Sequence, residues 1–309
     1  MGKTALETRM KPWNLSLLLI SLAKGDGLTF QNNDRIVLLG NTVIERAQKY
    51  GHLETALTLA AGEKNLRFRN LGWSGDTVYG DARSYFGPPQ EGFDRLKADL
   101  GRIKPNVVVI CYGAVASFEG EDGLMDFIKG YNRLLDMISS AANPRAIVLV
   151  SPPPAESLGA PMPDMSKQNE RLETYRTAIS KLASIRKIHF ADLFDKMKGS
   201  DSGLTDNGLH YTEKGYAVLS SKLVKALGLT PPTAKQISSK SGQDLRAKIV
   251  KKNKLFFFHW RPANETYLRL FRKHEQGNNA KELEKFIPII EARESEIDGL
   301  KTATLKEKS

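Results

Sequence analysis

Cysteine is nearly absent from this sequence: Cys111 is the only one among 309 residues. A single thiol cannot form a disulfide within the chain, so cysteine usage neither supports nor opposes export from the cell. Because Cys111 lies at the end of an apolar run, we interpret it as an inert thiol of the core rather than a reactive group.

The sequence also lacks the residue patterns of metal and nucleic-acid sites. His259, His274 and Glu275 do not follow a ligand spacing such as His-x-x-x-His, so we predict no metal site and no cofactor. The tightest basic cluster, at residues 251–254, is too short for a nucleic-acid-binding stripe, and no recognised nucleic-acid-binding motif accompanies it. We therefore expect no nucleic-acid partner.

Positive charge is unevenly distributed along the chain. The whole sequence has 46 Lys and Arg residues against 35 Asp and Glu residues, a formal net charge of +11. From Leu229 onward there are 17 basic and 10 acidic residues, so this part holds +7 of the total. Mixed charges of this kind are typical of a solvated helical face. The alternative is a tail that binds polyanions and releases them in salt.

Long apolar runs are missing, and the N-terminal region contains a short one. Basic residues within the first eleven positions precede the run from Leu15 to Ala23, in which Ser21 and Ala23 are small. The run is too short for a transmembrane segment, which needs about 20 apolar residues. This pattern predicts a signal peptide over residues 1–23, cleaved near Ala23, and export to the periplasm or the extracellular space. The alternative is a local helix packed on the fold.

Strand-like and helical segments alternate through the middle of the sequence. Apolar runs predict strands, and the segments between them predict helices: strands at 35–39, 66–71, 106–113, 146–150 and 187–192, and helices at about 43–60, 123–141, 166–185 and 212–227. This alternation predicts a parallel sheet between two helical layers, a three-layer α/β/α sandwich of flavodoxin-like type. Sites in such folds lie beyond the carboxyl ends of the strands, where Thr42, Gly75, Val115 and His210 fall.

A change in composition divides the chain after this alternating region. We predict a domain at 34–228, followed by a linker at 229–244 that is rich in Pro, Ser, Gly and Lys. Residues 245–309 then form a basic helical C-terminal extension, with a heptad-like helical stretch interrupted by Pro288.

Four sequence blocks at strand ends resemble the SGNH/GDSL hydrolase superfamily over about 34–228. They are "LLGNTVIER", "RNLGWSGDTV", "CYGAVASFEG" and "LTDNGLHYTEKGY", in this order. In that family, the serine of a Gly-Asp-Ser motif attacks an ester carbonyl. A glycine N–H and an asparagine side chain bind the oxyanion, and a histidine three residues after an aspartate acts as the base. The resemblance implies the α/β/α fold and an ester-hydrolase activity.

The resemblance assigns a role to each matching position. It places Thr42 at the nucleophile, Gly75 at the oxyanion glycine and His210 at the base. Asn207 stands where the orienting aspartate is expected, and Asp206 precedes it by one residue. A threonine hydroxyl can attack a carbonyl when a base removes its proton.

Three positions depart from the family pattern. Thr42 adds a methyl group to a tight turn. Thr42 or Asn41 also fits a helix N-cap, with Glu45 three residues after Thr42 as in a capping box. Val115 replaces the oxyanion asparagine and has no donor, a loss that typically lowers kcat about 10²–10³-fold. Asn207 replaces an aspartate, a change that in such a triad can lower kcat about 10⁴-fold. Ser74 is a second candidate nucleophile.

Two functions from different classes follow. The first is an exported SGNH-like ester hydrolase whose substrate is a small ester or, as the resemblance suggests, an acylated glycan. The second is a catalytically inactive module that uses the same cleft to bind a glycan or a protein partner, which Val115 and Asn207 favour. The sequence sets no oligomeric state.

The extension adds polar groups to either hypothesis. Arg261, Asn264, Arg272, His274 and Glu275 lie in a segment dense in aromatic residues and arginine. They either fold back over the ligand face and supply missing groups, or they form a clamp that docks the extension on the domain.

Overall fold

A computed structural model describes residues 28–307. The predicted signal peptide lies outside these residues. Within them, no helix is long and apolar enough to cross a membrane.

A five-stranded parallel sheet forms the centre of the molecule and confirms the predicted α/β/α fold. The strand order is β2-β1-β3-β4-β5, which is the flavodoxin-like order. The strands are β1 (Arg35–Gly40), β2 (Arg67–Asn70), β3 (Val107–Cys111), β4 (Ala146–Val150) and β5 (His189–Ala191). Because β3 and β4 are buried along their whole length, helices must cover both faces of the sheet.

Two apolar cores lie on the two faces of the sheet, each covered by helices of the domain, and one of them also contains Phe256, Trp260 and Ile290 of the extension. These helices are α1 (Thr42–Tyr50), α2 (His52–Ala60), α3 (Pro89–Ile103), α4 (Leu124–Ala142), α5 (Ser166–Arg186), α6 (Leu193–Met197) and α7 (Glu213–Ala226). The extension contains α8 (Ala234–Ser238), α9 (Lys240–Trp260), α10 (Glu265–Leu268), α11 (Lys273–Gln276) and α12 (Phe286–Leu305).

The predicted helix over 43–60 is two helices, because the chain turns at Gly51 with φ +72°. A Cβ there would lie 2.8 Å from a methyl carbon of Val250, so α9 packs directly against this turn. Helix α3 has no counterpart in the sequence prediction. Its start at Pro88-Pro89 resembles a loop, and Gly92 interrupts its apolar pattern.

The extension docks along the β2 edge of the sheet through ion pairs. Arg67 pairs with Asp298 at 2.8 Å, and Arg69 pairs with Glu294 at 2.5 Å. The segment predicted as a linker contains α8 and the first turns of α9. The heptad-like stretch divides just before Pro288 into a 3₁₀ helix (Gly277–Lys285) and α12, and Pro288 lies in the first turn of α12, where proline removes no helical hydrogen bond.

Burial of one lysine divides the basic cluster at 251–254. Lys252 is 1% exposed and pairs with the buried Glu54 at 2.6 Å, whereas Lys251 and Lys254 are exposed. Burial lowers the pKa of Lys252 and raises that of Glu54, since it disfavours both charged forms. Lys252 therefore anchors the extension.

Candidate active site

The turn after β1 places Thr42 at the start of α1. Gly40 passes so close to β3 that a Cβ would lie 2.4 Å from the Cys111 carbonyl oxygen, which explains the glycine. Asn41 is the N-cap of α1, and its Oδ1 accepts a hydrogen bond from the Val43 N–H at 3.4 Å. The N-cap interpretation is therefore confirmed for Asn41, while Thr42 is the first residue of α1 and forms no capping box with Glu45.

A short loop before α7 carries His210. Thr205 and Tyr211 pair as an antiparallel bridge, and the Asp206 N–H donates to the His210 carbonyl oxygen at 3.0 Å. Glu156 supports this loop by accepting hydrogen bonds from the Thr205 hydroxyl at 2.6 Å and from backbone N–H groups. Partial burial acts to raise the pKa of Glu156, but these hydrogen bonds outweigh it and lower the pKa.

Asn207 orients the ring of His210. The Asn207 Oδ1 accepts the backbone N–H groups of Leu209 at 3.1 Å and His210 at 2.8 Å, which fixes the orientation of the amide. Its Nδ2 then faces the His210 Nδ1 at 3.2 Å. Because an amide NH₂ only donates, Nδ1 is the acceptor and the neutral ring carries its proton on Nε2.

Asp206 points away from this ring. Its carboxylate pairs with Arg46 of α1 at 3.2 Å, and about half of its side chain is exposed. Tyr216 of α7 adds a second link to α1, since its hydroxyl donates to the Val43 carbonyl oxygen at 2.7 Å. These contacts hold the His210 loop against the start of α1.

Thr42 and His210 border the same cleft, with a volume of about 180 Å³. Val115 lies on this cleft as well, so its side chain offers no donor where the family has asparagine. Two buried amide atoms of the cleft-lining residues have no hydrogen-bond partner among the described residues: Asn41 Nδ2 and Gln168 Oε1. The residues that line the cleft thus provide the Thr42 hydroxyl, the His210 imidazole and two amide side chains, besides the Tyr211 hydroxyl, which donates to the Pro154 carbonyl oxygen at 2.9 Å.

Gly75 lies in the turn after β2, apart from the residues that line this cleft. Its φ is +77°, a left-handed conformation that favours glycine. The Ser74 N–H donates to the carboxylate of Glu45. Beneath the turn, Asp76 is fully buried and pairs with Arg83 at 2.7 Å. The structure therefore brings Thr42, Asn207 and His210 together and leaves Gly75 on a neighbouring, well-anchored turn.

Arg261 of the extension reaches this turn. The guanidinium carbon of Arg261 lies 3.5 Å from the Trp73 ring centroid, and its Nη1 is 3.4 Å from the Glu45 Oε1. Arg272 and Glu275 pair with each other, and Asn264 contacts Gln276, so these groups serve the extension itself. His274 is 74% exposed beside Glu275.

Metal-ligating side chains do not cluster around this cleft. In the described part of the chain, no group of three or more His, Cys, Asp or Glu side chains is placed to hold a metal ion. A larger cavity of about 410 Å³ lies between the sheet and the extension, and it contains none of the predicted site residues.

Sequence reasoning missed Arg46 and Glu156, which hold the His210 loop. Arg46 follows Thr42 by one helical turn, a spacing that puts it on the same side of α1. Glu156 lies in the loop after β4, and no sequence pattern there indicates a contact with Thr205.

The strand order, with Thr42 after the first strand and His210 before the last domain helix, is that of the GDSL-type hydrolase fold. The chain belongs to the GDSL-like lipase/acylhydrolase family, whose model matches residues 25–218. This membership confirms the resemblance drawn from the four sequence blocks.

Two solved structures share the fold at low sequence identity. A putative GDSL-like lipase from Parabacteroides merdae is 17% identical with a TM-score of 0.53, over 65% of this chain and 98% of that one. A single-residue variant of Axe2, an acetyl xylan esterase from Geobacillus stearothermophilus, is 15% identical with a TM-score of 0.52, over 67% of this chain and 100% of that one. No curated protein sequence matches the chain.

Proposed function

We propose that the chain is an exported ester hydrolase in which Thr42 is the nucleophile and His210 the base. The observation that carries this proposal is that both side chains border one cleft, at the carboxyl ends of the parallel strands. Asn207 orients the ring, and the proposed oxyanion donor is the N–H of Gly75, which lies on the neighbouring turn that Glu45 links to the helix of Thr42. The similarity to Axe2, an acetyl xylan esterase, supports an acylated carbohydrate as the substrate class.

The reaction follows from the chemistry of these groups. The Thr42 oxygen attacks the ester carbonyl while its proton passes to the His210 Nε2. The C–O bond to the alcohol then breaks, and the alcohol leaves with that proton. Water, activated by the same nitrogen, releases the acid and restores Thr42. The Asn207 amide favours the tautomer with Nε2 protonated. The ring must therefore give up the hydrogen bond between Asn207 and Nδ1 and move its proton to Nδ1 before Nε2 can accept a proton, so we expect slow turnover.

A binding module is the second candidate function, and the same tautomer favours it. An imidazole with its proton on Nε2 donates into the cleft, and Val115 offers apolar contact in place of an oxyanion donor. Such a cleft suits an ester or glycan that is held rather than cleaved.

Hydrolysis of 4-nitrophenyl acetate by the mature chain separates the two functions. The hydrolase proposal expects turnover above background that falls to background in Thr42→Ala and in His210→Ala. His274→Ala is the matched control, since this exposed histidine lies in the extension, and it should retain the wild-type rate. Equal rates for wild type and His210→Ala would exclude the hydrolase for this ester and leave the binding module.

A further inference from the structure

The extension surrounds the turn that carries Gly75. Trp73, which begins this turn, packs against Trp260 with ring centroids 5.7 Å apart and under the Arg261 guanidinium at 3.5 Å. On its other side, Trp73 meets Tyr85 edge-on at 5.6 Å, and the Tyr85 hydroxyl bonds to Glu265 at 3.3 Å. Three residues of the extension therefore hold both flanks of one turn.

Glu45 connects this turn to the helix of the nucleophile. It follows Thr42 by three residues in α1, and one of its carboxylate oxygens accepts the Ser74 N–H. The other oxygen faces the Arg261 Nη1 at 3.4 Å. One carboxylate on the helix of Thr42 thus contacts both the turn of Gly75 and the extension.

Close backbone packing holds this turn against α1, and the Glu45 and Arg261 pair adds a contact from the extension. Gly72 brings the turn so close to α1 that a Cβ would lie 2.3 Å from the Glu45 backbone nitrogen. This contact sets how near the two segments lie, and the Trp73 N–H donates to the Gly40 carbonyl oxygen at 2.9 Å. The Glu45 carboxylate and Arg261 contact the turn from the side of the extension. The GDSL-like structures match about two thirds of this chain and nearly all of their own, so the extension lies outside the shared fold.

We propose that Arg261 is a positioning residue: through Glu45 and Trp73 it aligns the turn of Gly75 with Thr42. This inference rests on the proposed function. Nucleophile and oxyanion donor must be held within about 0.5 Å of their productive geometry, and a misplacement of about 1 Å can lower the rate about 10²-fold. The extension then positions groups of the site, although none of its described residues lines the cleft.

The test compares two arginines that both dock the extension. Arg261→Ala should lower kcat about 10–100-fold with little change in KM, whereas Arg67→Ala, which removes the pair with Asp298 far from the turn, should leave kcat near wild type. The rates of both variants are measured at temperatures equally far below their own melting temperatures. Arg261→Lys should recover part of the loss, because lysine keeps the charge beside Glu45 without the stacking on Trp73.

Glu45→Gln provides an independent variant with an unchanged side-chain size. It should lower kcat in the wild-type background and have little further effect in Arg261→Ala, because the two residues act as a pair. If Arg261→Ala has the same kcat as the wild type and Arg67→Ala, the positioning inference is wrong while the proposed function stands. A wild-type chain without turnover would overturn both.

Discussion

The Asn207 amide donates to the Nδ1 of His210 across 3.2 Å, and two backbone N–H groups hold the amide in that orientation. A carboxylate at this position would accept from a protonated Nδ1 and leave Nε2 free for the nucleophile. Asn207 and His210 therefore have the geometry of the aspartate and histidine pair of a triad, but the hydrogen bond between them runs in the opposite direction, from residue 207 to the ring.

Asn207→Asp should raise kcat for an activated ester. The carboxylate keeps the acceptor for the backbone N–H groups of Leu209 and His210, and it favours the tautomer that accepts the Thr42 proton. The reverse change can lower kcat about 10⁴-fold in a full triad, so we expect a gain of at least about tenfold here. Steady-state rates beside Asp206→Asn, whose carboxylate points to Arg46, provide the comparison. A rate that falls or stays constant in Asn207→Asp would refute the tautomer argument.

Val115→Asn should also raise kcat, because it places an amide donor on the cleft wall. One oxyanion donor is worth about 10²–10³ in kcat where the geometry is right. Val115→Ala is the control, since it changes the size of the side chain without adding a donor. A gain shared equally by both variants would show that space, rather than the donor, limits the reaction.

The apolar lining of the cleft predicts a preference for acyl chains longer than acetyl. Val115, Phe118 and Leu209 line it and remain 36%, 51% and 37% exposed. A cavity of about 150 Å³ accommodates benzene, so 180 Å³ suits a chain of about six carbons. Each buried methylene contributes about 0.8 kcal/mol, or about fourfold in kcat/KM.

A series of 4-nitrophenyl esters from acetate to decanoate measures this preference. We expect kcat/KM to rise to about hexanoate and then level off, and Phe118→Ala to reduce the ratio of hexanoate to acetate rates. Ile185→Ala, an exposed residue of α5 remote from the cleft, should leave the ratio unchanged. A flat series, or acetate as the best substrate, would show that the cleft does not bind the acyl chain.

Acidification should destabilise the fold below about pH 6.5. Burial lowers the pKa of His189, and burial together with Arg246 lowers that of His52. The unfolded chain therefore binds more protons than the folded chain below the ordinary histidine pKa of about 6.5, so stability falls as the pH decreases through this window. Melting temperatures from pH 7.5 to 5.5 should decline less steeply in His189→Gln than in wild type. Parallel curves would exclude this contribution.

The sequence predicts which residues lie close together where the strand order alone determines their positions. Thr42 and His210 share a cleft because parallel strands bring their carboxyl ends to one edge, and the apolar runs reveal those strands. The direction of the Asn207 amide depends instead on backbone N–H groups of a folded loop, which no residue pattern encodes. The contact of Arg261 with Trp73 joins two segments that are distant in sequence. The sequence therefore left open whether the extension folds over the ligand face or only docks on the domain.

Covalent trapping of the nucleophile tests the central claim most directly. A hexyl fluorophosphonate is attacked at phosphorus by an activated hydroxyl, which then displaces fluoride. Intact-mass analysis and peptide mapping should find one adduct on Thr42, formed more slowly in His210→Ala and absent in Thr42→Ala. An adduct on Ser74 would contradict the assignment of Thr42 as the nucleophile. The absence of any adduct in both the wild type and Asn207→Asp would contradict it as well.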